Sequence, residues 1–148
     1  MKIAIGNDHA CREMKSALIE HLNSKGIQAV DLGAKGSDSS DYPIYAESIA
    51  RAVAAGEYDR GILICGTGIG MSIAANKVNG ARAACCTDPY SSKLSREHNN
   101  SNILCLGARV TGVELAKMIV DTWLDAEFEA GRHKRRVDMY DEIENRSK

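Results

Sequence analysis

The sequence predicts an α/β fold in which a parallel sheet is covered by helices on both faces. Three observations carry that expectation. Short runs rich in Ile, Leu, Val and Ala alternate with helical patterns in units of about 20–35 residues, the rhythm of strands joined by crossover helices. The run RGILIC at 60–65 is almost continuously apolar, as a strand buried on both faces must be. Polar and reactive residues follow the strands directly: Asn7-Asp8-His9, Cys65-Gly66-Thr67, Thr87-Asp88 and Ala108-Arg109. In parallel sheets ligands bind beyond the carboxyl ends of the strands, near the point where strand order reverses. The expected architecture is Rossmann-like, three-layer α/β/α, with a five-stranded parallel sheet and a C-terminal helical extension.

Each element has its own signal. KIAIG (2–6) reads as the first strand, and Met14, Leu18 and Leu22 share one face of a helix over 10–25. Gly26 stops that helix, and IQAVDLG (27–33) forms the second strand. Ile44, Ala46, Ile49, Ala50 and Val53 recur at helical spacing over 42–55. RGILIC is the third strand, followed by three glycines and another helix start. ARAACC (81–86), weakly marked, and NILCLG (102–107) supply two more strands, with helical patterns at 89–99 and 112–129. No linker, low-complexity stretch or repeat interrupts this order, so residues 1–148 are expected to form one domain, with 127–148 a helical tail.

Composition narrows the function. The 148 residues are 44% hydrophobic and 26% charged, enough to bury a core without staples. A net charge of −1 and 5% aromatic residues exclude a dedicated nucleic-acid binder, which needs a basic field and stacking platforms. Cys11, Cys65, Cys85, Cys86 and Cys105 form no Cys-x-x-Cys pair, so no zinc knuckle or thioredoxin-like motif is present. An odd cysteine count without framework spacing suits a reduced, cytoplasmic protein. MKIAIGNDHA has too short an apolar stretch for a signal peptide. The uncharged run from Gly61 to Asn76 is broken by glycines and falls short of the ~20 residues a spanning helix needs, so no membrane partner is expected.

The most informative stretch is GILICGTGIGMSIAANK at 61–77. Its glycines at 66, 68 and 70 are not a dinucleotide fingerprint, because Met71 occupies the third glycine position. No Gly-Lys-Ser/Thr follows, which excludes a Walker loop, and Met71 also stands where a phosphatase-type loop needs arginine. What remains is a strand, a glycine turn and a helix start whose backbone N–H groups can cradle an anion. Seen alone, Cys65 would be a small buried hydrophobe. At a helix start its thiolate is stabilised, and the same turn can donate to an oxyanion beside it. Base plus oxyanion cradle is what proton abstraction next to a carbonyl requires.

Five segments, GNDHA (6–10), DYPIYA (41–46), CGTGIGMSIAANK (65–77), SREHNNSNILCLGARVTG (95–112) and EFEAGRHKRRVD (127–138), together resemble the type B ribose-5-phosphate isomerases. That family includes allose-6-phosphate and galactose-6-phosphate isomerases, and the resemblance runs over nearly the whole chain. It implies aldose–ketose isomerisation of a phosphorylated sugar through a cis-enediolate, without metal or cofactor. Cys65 matches the family's base, Thr67 a hydroxyl for the reacting oxygens, and Gly66, Gly68, Ile69 and Gly70 the enediolate cradle. His98 matches the acid that opens the sugar ring, and Asn99 a neighbouring ligand. Asp8 and His9 match residues that hold the sugar hydroxyls. Asp8 read alone would cap the helix over 10–25. Tyr42 would wall the sugar or serve the core.

Arg132 and Arg136 lie four apart on one helical face, where two guanidinium groups can converge on one phosphate. They match the family's phosphate ligands, as does Arg109, with His133 assisting. Asp138, Asp141, Glu142 and Glu144 follow at once and dilute the basic field. In the family the arginines and the histidine serve sites shared between subunits, so a homodimer is implied, with pairing into tetramers left open. Val137, Tyr140 and Ile143 form a narrow seam that belongs either on a partner or on the chain's own core.

The chain departs from the family at Cys11 and Arg12, where small residues are usual, and at Thr87, where many members carry histidine. Arg12 is expected at the surface. Cys85 and Cys86 face opposite sides of a strand and are expected to pack. These departures touch sugar preference, so isomerisation of a six-carbon 6-phosphate stands as the alternative to the pentose reaction. A non-catalytic sugar-phosphate-binding subunit is a further alternative, against which the joint presence of Cys65, Thr67 and His98 speaks.

Overall fold

The computed structural model describes residues 1–36 and 38–146. Among them, β1 (Lys2–Asn7), β2 (Gln28–Asp31), β3 (Arg60–Cys65), β4 (Ala83–Cys85) and β5 (Ile103–Gly107) form one sheet in the order β2-β1-β3-β5-β4. All four pairings are parallel. The helices are α1 (Arg12–Ser24), α2 (Tyr42–Ala54), α3 (Ile69–Ala75), α4 (Pro89–Glu97), α5 (Val113–Asp125) and α6 (Gly131–Arg146).

Period-two alternation inside the apolar runs builds two cores. Ile3, Ile5, Ile62, Ile64, Leu104 and Leu106 pack with Leu18 and Leu22 of α1 and Ile119, Val120 and Trp123 of α5. Their neighbours Ala4, Leu63, Cys65, Ile103 and Cys105 turn to the other face, against Ala46, Ile49 and Val53 of α2 and Met71 and Ala75 of α3. Helix α4 packs on α5, where Ser92 Oγ donates to the Ile119 carbonyl at 2.9 Å. This is the expected three-layer α/β/α arrangement. The short edge strand β4 has its backbone covered by Asn76, whose side-chain amide accepts from Ala83 N at 2.8 Å and donates to Ala83 O at 2.9 Å.

Strand order reverses between β1 and β3, since the chain leaves β1 toward β2 and leaves β3 toward β4. The register places Asn7 opposite Ile64 and Cys65 opposite Gly107, so three carboxyl ends open onto the same edge. No helix of the described residues is long and apolar enough to cross a membrane.

Two helix boundaries differ from expectation. Helix α1 opens at Arg12 behind an N-cap at Cys11 that makes no side-chain cap bond, whereas Asp8 Oδ1 accepts the Ala10 N–H in a tight local turn. The pattern at 112–129 is helical only to Asp125. Ala126 is extended, Glu129 N donates to the Glu97 carbonyl at 3.0 Å, and Ala130 has φ +54°. A tertiary backbone bond thus ends the helix before α6 begins. The last two residues of the expected tail lie outside the described residues.

Trp123 anchors the α5 layer: it is fully buried, and its indole N–H donates to Ser101 Oγ at 2.8 Å. Trp123→Ala opens a cavity and removes one of the two partners of the Ser101 hydroxyl, so urea denaturation is expected to show a loss of about 3–5 kcal/mol.

Candidate active site

Cys65 ends β3 with its side chain pointing into the α2–α3 layer, 5% exposed, and its Sγ accepts the Gly68 N–H at 3.2 Å. That contact requires a sharp turn. Gly68 has φ +80°, and a Cβ there would sit 3.0 Å from the Leu106 backbone and 2.9 Å from Cys85 Sγ. From the other side, a Cβ on Gly107 would lie 2.6 Å from the Thr67 carbonyl carbon. Turn and strand touch backbone to backbone, which glycine permits. Ala108 N and Arg109 N donate to the carbonyls of Cys65 and Gly66 at 2.9 and 3.0 Å, tying the end of β5 to the turn.

The other carboxyl-edge residues gather around it. Thr67 is exposed and its Oγ1 accepts the Ile69 N–H at 3.3 Å. Ile69 is 55% exposed. The Arg109 side chain passes over Gly66, its Cδ 3.4 Å from where a Cβ would be. The Tyr42 ring lies against Gly70, where a Cβ would meet Cζ at 2.6 Å. Asp8 N donates to the Ile64 carbonyl at 3.2 Å, which sets Asp8 and His9 beside the turn. His9 and Ser40 bond reciprocally: His9 N donates to Ser40 Oγ and Ser40 N donates to His9 Nδ1, both at 3.2 Å. With Nδ1 accepting, the neutral ring carries its hydrogen on Nε2.

Four cysteines are held as thiols. Burial, reinforced by a hydrogen bond and the charge of Asp8, pushes Cys11 up to about 12. Burial likewise raises Cys86 to about 11, Cys105 well above its ordinary value, and Cys85 above it. Cys86 is core packing, as expected. Cys85 is not: it is exposed, and its Sγ donates to the Thr67 carbonyl at 3.5 Å, backing the glycine turn. Arg12 is a surface residue whose Nη2 donates to the Lys35 carbonyl at 3.2 Å.

The remaining predicted residues form a second cluster. Asp88 caps the start of α4 by accepting the Ser91 N–H at 2.7 Å, and α4 then returns antiparallel to the strands. His98 is its C-cap, close to the start of β5, where Ile103 pairs with Gly61 and Ala83. The His98 ring stacks on His133 of α6, centroids 4.1 Å apart and planes 7° from parallel. Asn99 Nδ2 donates to Tyr140 Oη at 3.3 Å, and Glu144 accepts the Gly80 N–H at 3.0 Å, so α6 lies along its own chain's amino-terminal edge. Val137 is buried there, while Ile143 is 56% exposed. Arg132 and Arg136 are exposed on either side of buried His133. Burial first, then the charges of His98 and Arg132, hold His133 below the usual imidazole range.

Within one chain the structure therefore brings together Cys65, Thr67, the 66–70 turn, Asp8, His9, Tyr42 and Arg109. It places His98, Asn99, Arg132, His133 and Arg136 at the opposite edge, the length of β5 away, about 13 Å for five residues. Glu129, which the sequence reading did not single out, sits in the second cluster, its Oε2 3.8 Å from His98 Nε2 and 3.6 Å from His133 Nε2. Its i,i+4 spacing to His133 is the only signal that could have marked it.

A thiol in a glycine turn at the switch point of a doubly wound sheet, ringed by Asp8, His9, Thr67 and Arg109, is the arrangement of a small-molecule enzyme of the α/β class. The chain belongs to the Ribose/Galactose Isomerase family, which it matches over residues 3–140. It is 54% identical to ribose-5-phosphate isomerase B of Escherichia coli over 145 residues, 98% of this chain and 97% of that protein. It is 45% identical to a D-erythrulose-4-phosphate isomerase of Pectobacterium atrosepticum, covering 100% of this chain and 98% of that one. Its fold superposes on ribose-5-phosphate isomerase B of Clostridium thermocellum with a TM-score of 0.98 at 53% identity, over 100% of both chains.

Gly68→Ala forces a left-handed backbone on a residue with a side chain, a cost of ~1–2 kcal/mol before any clash with Leu106. Its urea midpoint is expected to fall accordingly, and alkylation of Cys65 by iodoacetamide to change in rate as the turn moves off the sulfur.

Proposed function

We propose that the protein interconverts D-ribose 5-phosphate and D-ribulose 5-phosphate by proton transfer at Cys65. The observation that carries this is the Cys65 sulfur held 3.2 Å from a glycine-turn amide at the switch-point crevice. The family, and the name of the 54%-identical relative, support the pentose phosphate as substrate.

The reaction divides into two stages. In the first, His98 donates a proton to the ring oxygen as the bond from C1 to that oxygen breaks, and water takes the proton of the anomeric hydroxyl, giving the open aldehyde. In the second, the Cys65 thiolate removes the proton from C2, electrons move onto the carbonyl oxygen, and a cis-enediolate forms. A proton passes from O2 to O1 across the cis-enediolate, and the thiol returns its proton to C1, leaving a hydroxyl at C1 and the ketone at C2. Amides of the 66–70 turn and the Thr67 hydroxyl bond the oxygens on which charge develops. Asp8 and His9 hold sugar hydroxyls, Tyr42 and Ile69 wall the crevice, and Asn99 contributes a further polar contact. Arg109, Arg132 and Arg136, with His133, take the phosphate. No step needs a metal or a cofactor, and the reaction belongs in the cytoplasm.

A complete site on this reading needs two chains. Because the acid and the two α6 arginines lie at the edge opposite Cys65, a homodimer would bring the α4 end and α6 of one protomer to the carboxyl edge of the other.

Cys65→Ala and His98→Ala are each expected to be inactive on ribose 5-phosphate. Unfolded together and refolded, they are expected to recover about one quarter of wild-type activity, because half the dimers would be mixed and each would hold one intact site. A mixture as dead as its components overturns the shared site. Arg132→Ala is expected to raise KM for ribose 5-phosphate by roughly 10-fold or more with a smaller change in kcat, through loss of a charge-assisted phosphate bond. A parallel panel of tetrose 4-, pentose 5- and hexose 6-phosphates measures sugar preference; faster turnover of a hexose or tetrose phosphate replaces the pentose assignment.

A further inference from the structure

We propose that Glu129 is a positioning residue for opening the sugar ring: its carboxylate, shared between two stacked imidazoles, orients the His98 ring that donates the proton. This rests on the reading of His98 as the ring-opening acid.

The geometry is asymmetric in the way such a role demands. One oxygen, Oε2, faces both Nε2 atoms, 3.8 Å from His98 and 3.6 Å from His133, at ion-pair distance. Two rings stacked 4.1 Å apart cannot both carry a proton without like charges in contact. The choice between them is made by surroundings. The His133 side chain is 8% exposed and flanked by Arg132 and Arg136, whereas His98 is 33% exposed. Burial and the neighbouring positive charges hold His133 below the usual imidazole range, so the Glu129 carboxylate is available to orient the more exposed His98 ring. The charged groups facing the pair are Glu129 from the α5–α6 link and Arg132 and Arg136 from α6.

The carboxylate is also delivered deliberately by the backbone. Glu129 N donates to the Glu97 carbonyl at 3.0 Å, one residue before His98, and Ala130 beside it takes a left-handed φ of +54°. The link between α5 and α6 is thereby pinned to the end of α4 that carries the acid. Ligand atoms of the three residues lie within 4.8 Å of one another, a set also found around divalent cations, but the two guanidinium groups beside His133 weigh against a cation there.

The test exploits a difference between the two sugars. Ribose 5-phosphate is a closed furanose and must be opened. Ribulose 5-phosphate has its carbonyl at C2 and its O5 on phosphate, so no five-membered ring closes, and exchange of its C1 hydrogen with deuterated water needs Cys65 but no ring opening. For the exposed, isosteric variant Glu129→Gln, ribose 5-phosphate turnover is expected to fall about 10-fold. C1 exchange of ribulose 5-phosphate is expected to stay within about 2-fold of wild type. A fall in both rates together means a merely structural role and overturns the inference, as does a variant indistinguishable from wild type. A wild-type protein that exchanges C1 of ribulose 5-phosphate but shows no ribose 5-phosphate turnover overturns the ring-opening role itself, while loss of both wild-type activities overturns the isomerase reading.

Discussion

The structure depends on one close approach, that of the β5 backbone to the turn after Cys65. Gly107 and Gly68 face each other across a gap that no Cβ could enter without meeting backbone at 2.6–3.0 Å. Because both are glycine, the turn folds back far enough for its own amide to reach the thiol that precedes it. Everything else at the carboxyl edge is arranged on that turn: Arg109 over Gly66, Tyr42 against Gly70, Cys85 behind Thr67. Glycine here is a condition of distance as much as of backbone angle.

Parallel α/β topology then dictates how the chemistry is divided. Each crossover helix starts at the carboxyl edge and ends at the amino edge, so a residue at a strand end and a residue at a helix C-cap are separated by the height of the sheet. Cys65 is the first kind and His98 the second. No side chain spans that distance. Two copies can meet across it, which is the physical reason for reading the site as shared.

Burial sorts residues that look alike on paper. Of two adjacent cysteines, Cys86 is buried in the core while Cys85 is exposed beside the glycine turn. Two histidines four ångströms apart are distinguished likewise, His133 by its burial and its arginine neighbours, His98 by its exposure beside Glu129.

The five strands and their parallel arrangement under helices on both faces were legible in the sequence, because apolar runs and glycine punctuation are local signals. So was the first half of the site: Cys65, Thr67 and Asp8-His9 follow strand ends, and topology gathers strand ends at one edge. Helix boundaries at 12 and 125 were not, since a local turn at Asp8 and a backbone bond from Glu129 to Glu97 override helical spacing. Nor was the contact of Cys85 with the turn, which comes from a strand two places away in the sheet. The placement of His98, Arg132 and Arg136 at the far edge, with Glu129 between two stacked rings, was decided by tertiary structure alone. Residues that act through space across crossover helices leave no spacing in the chain by which to find one another.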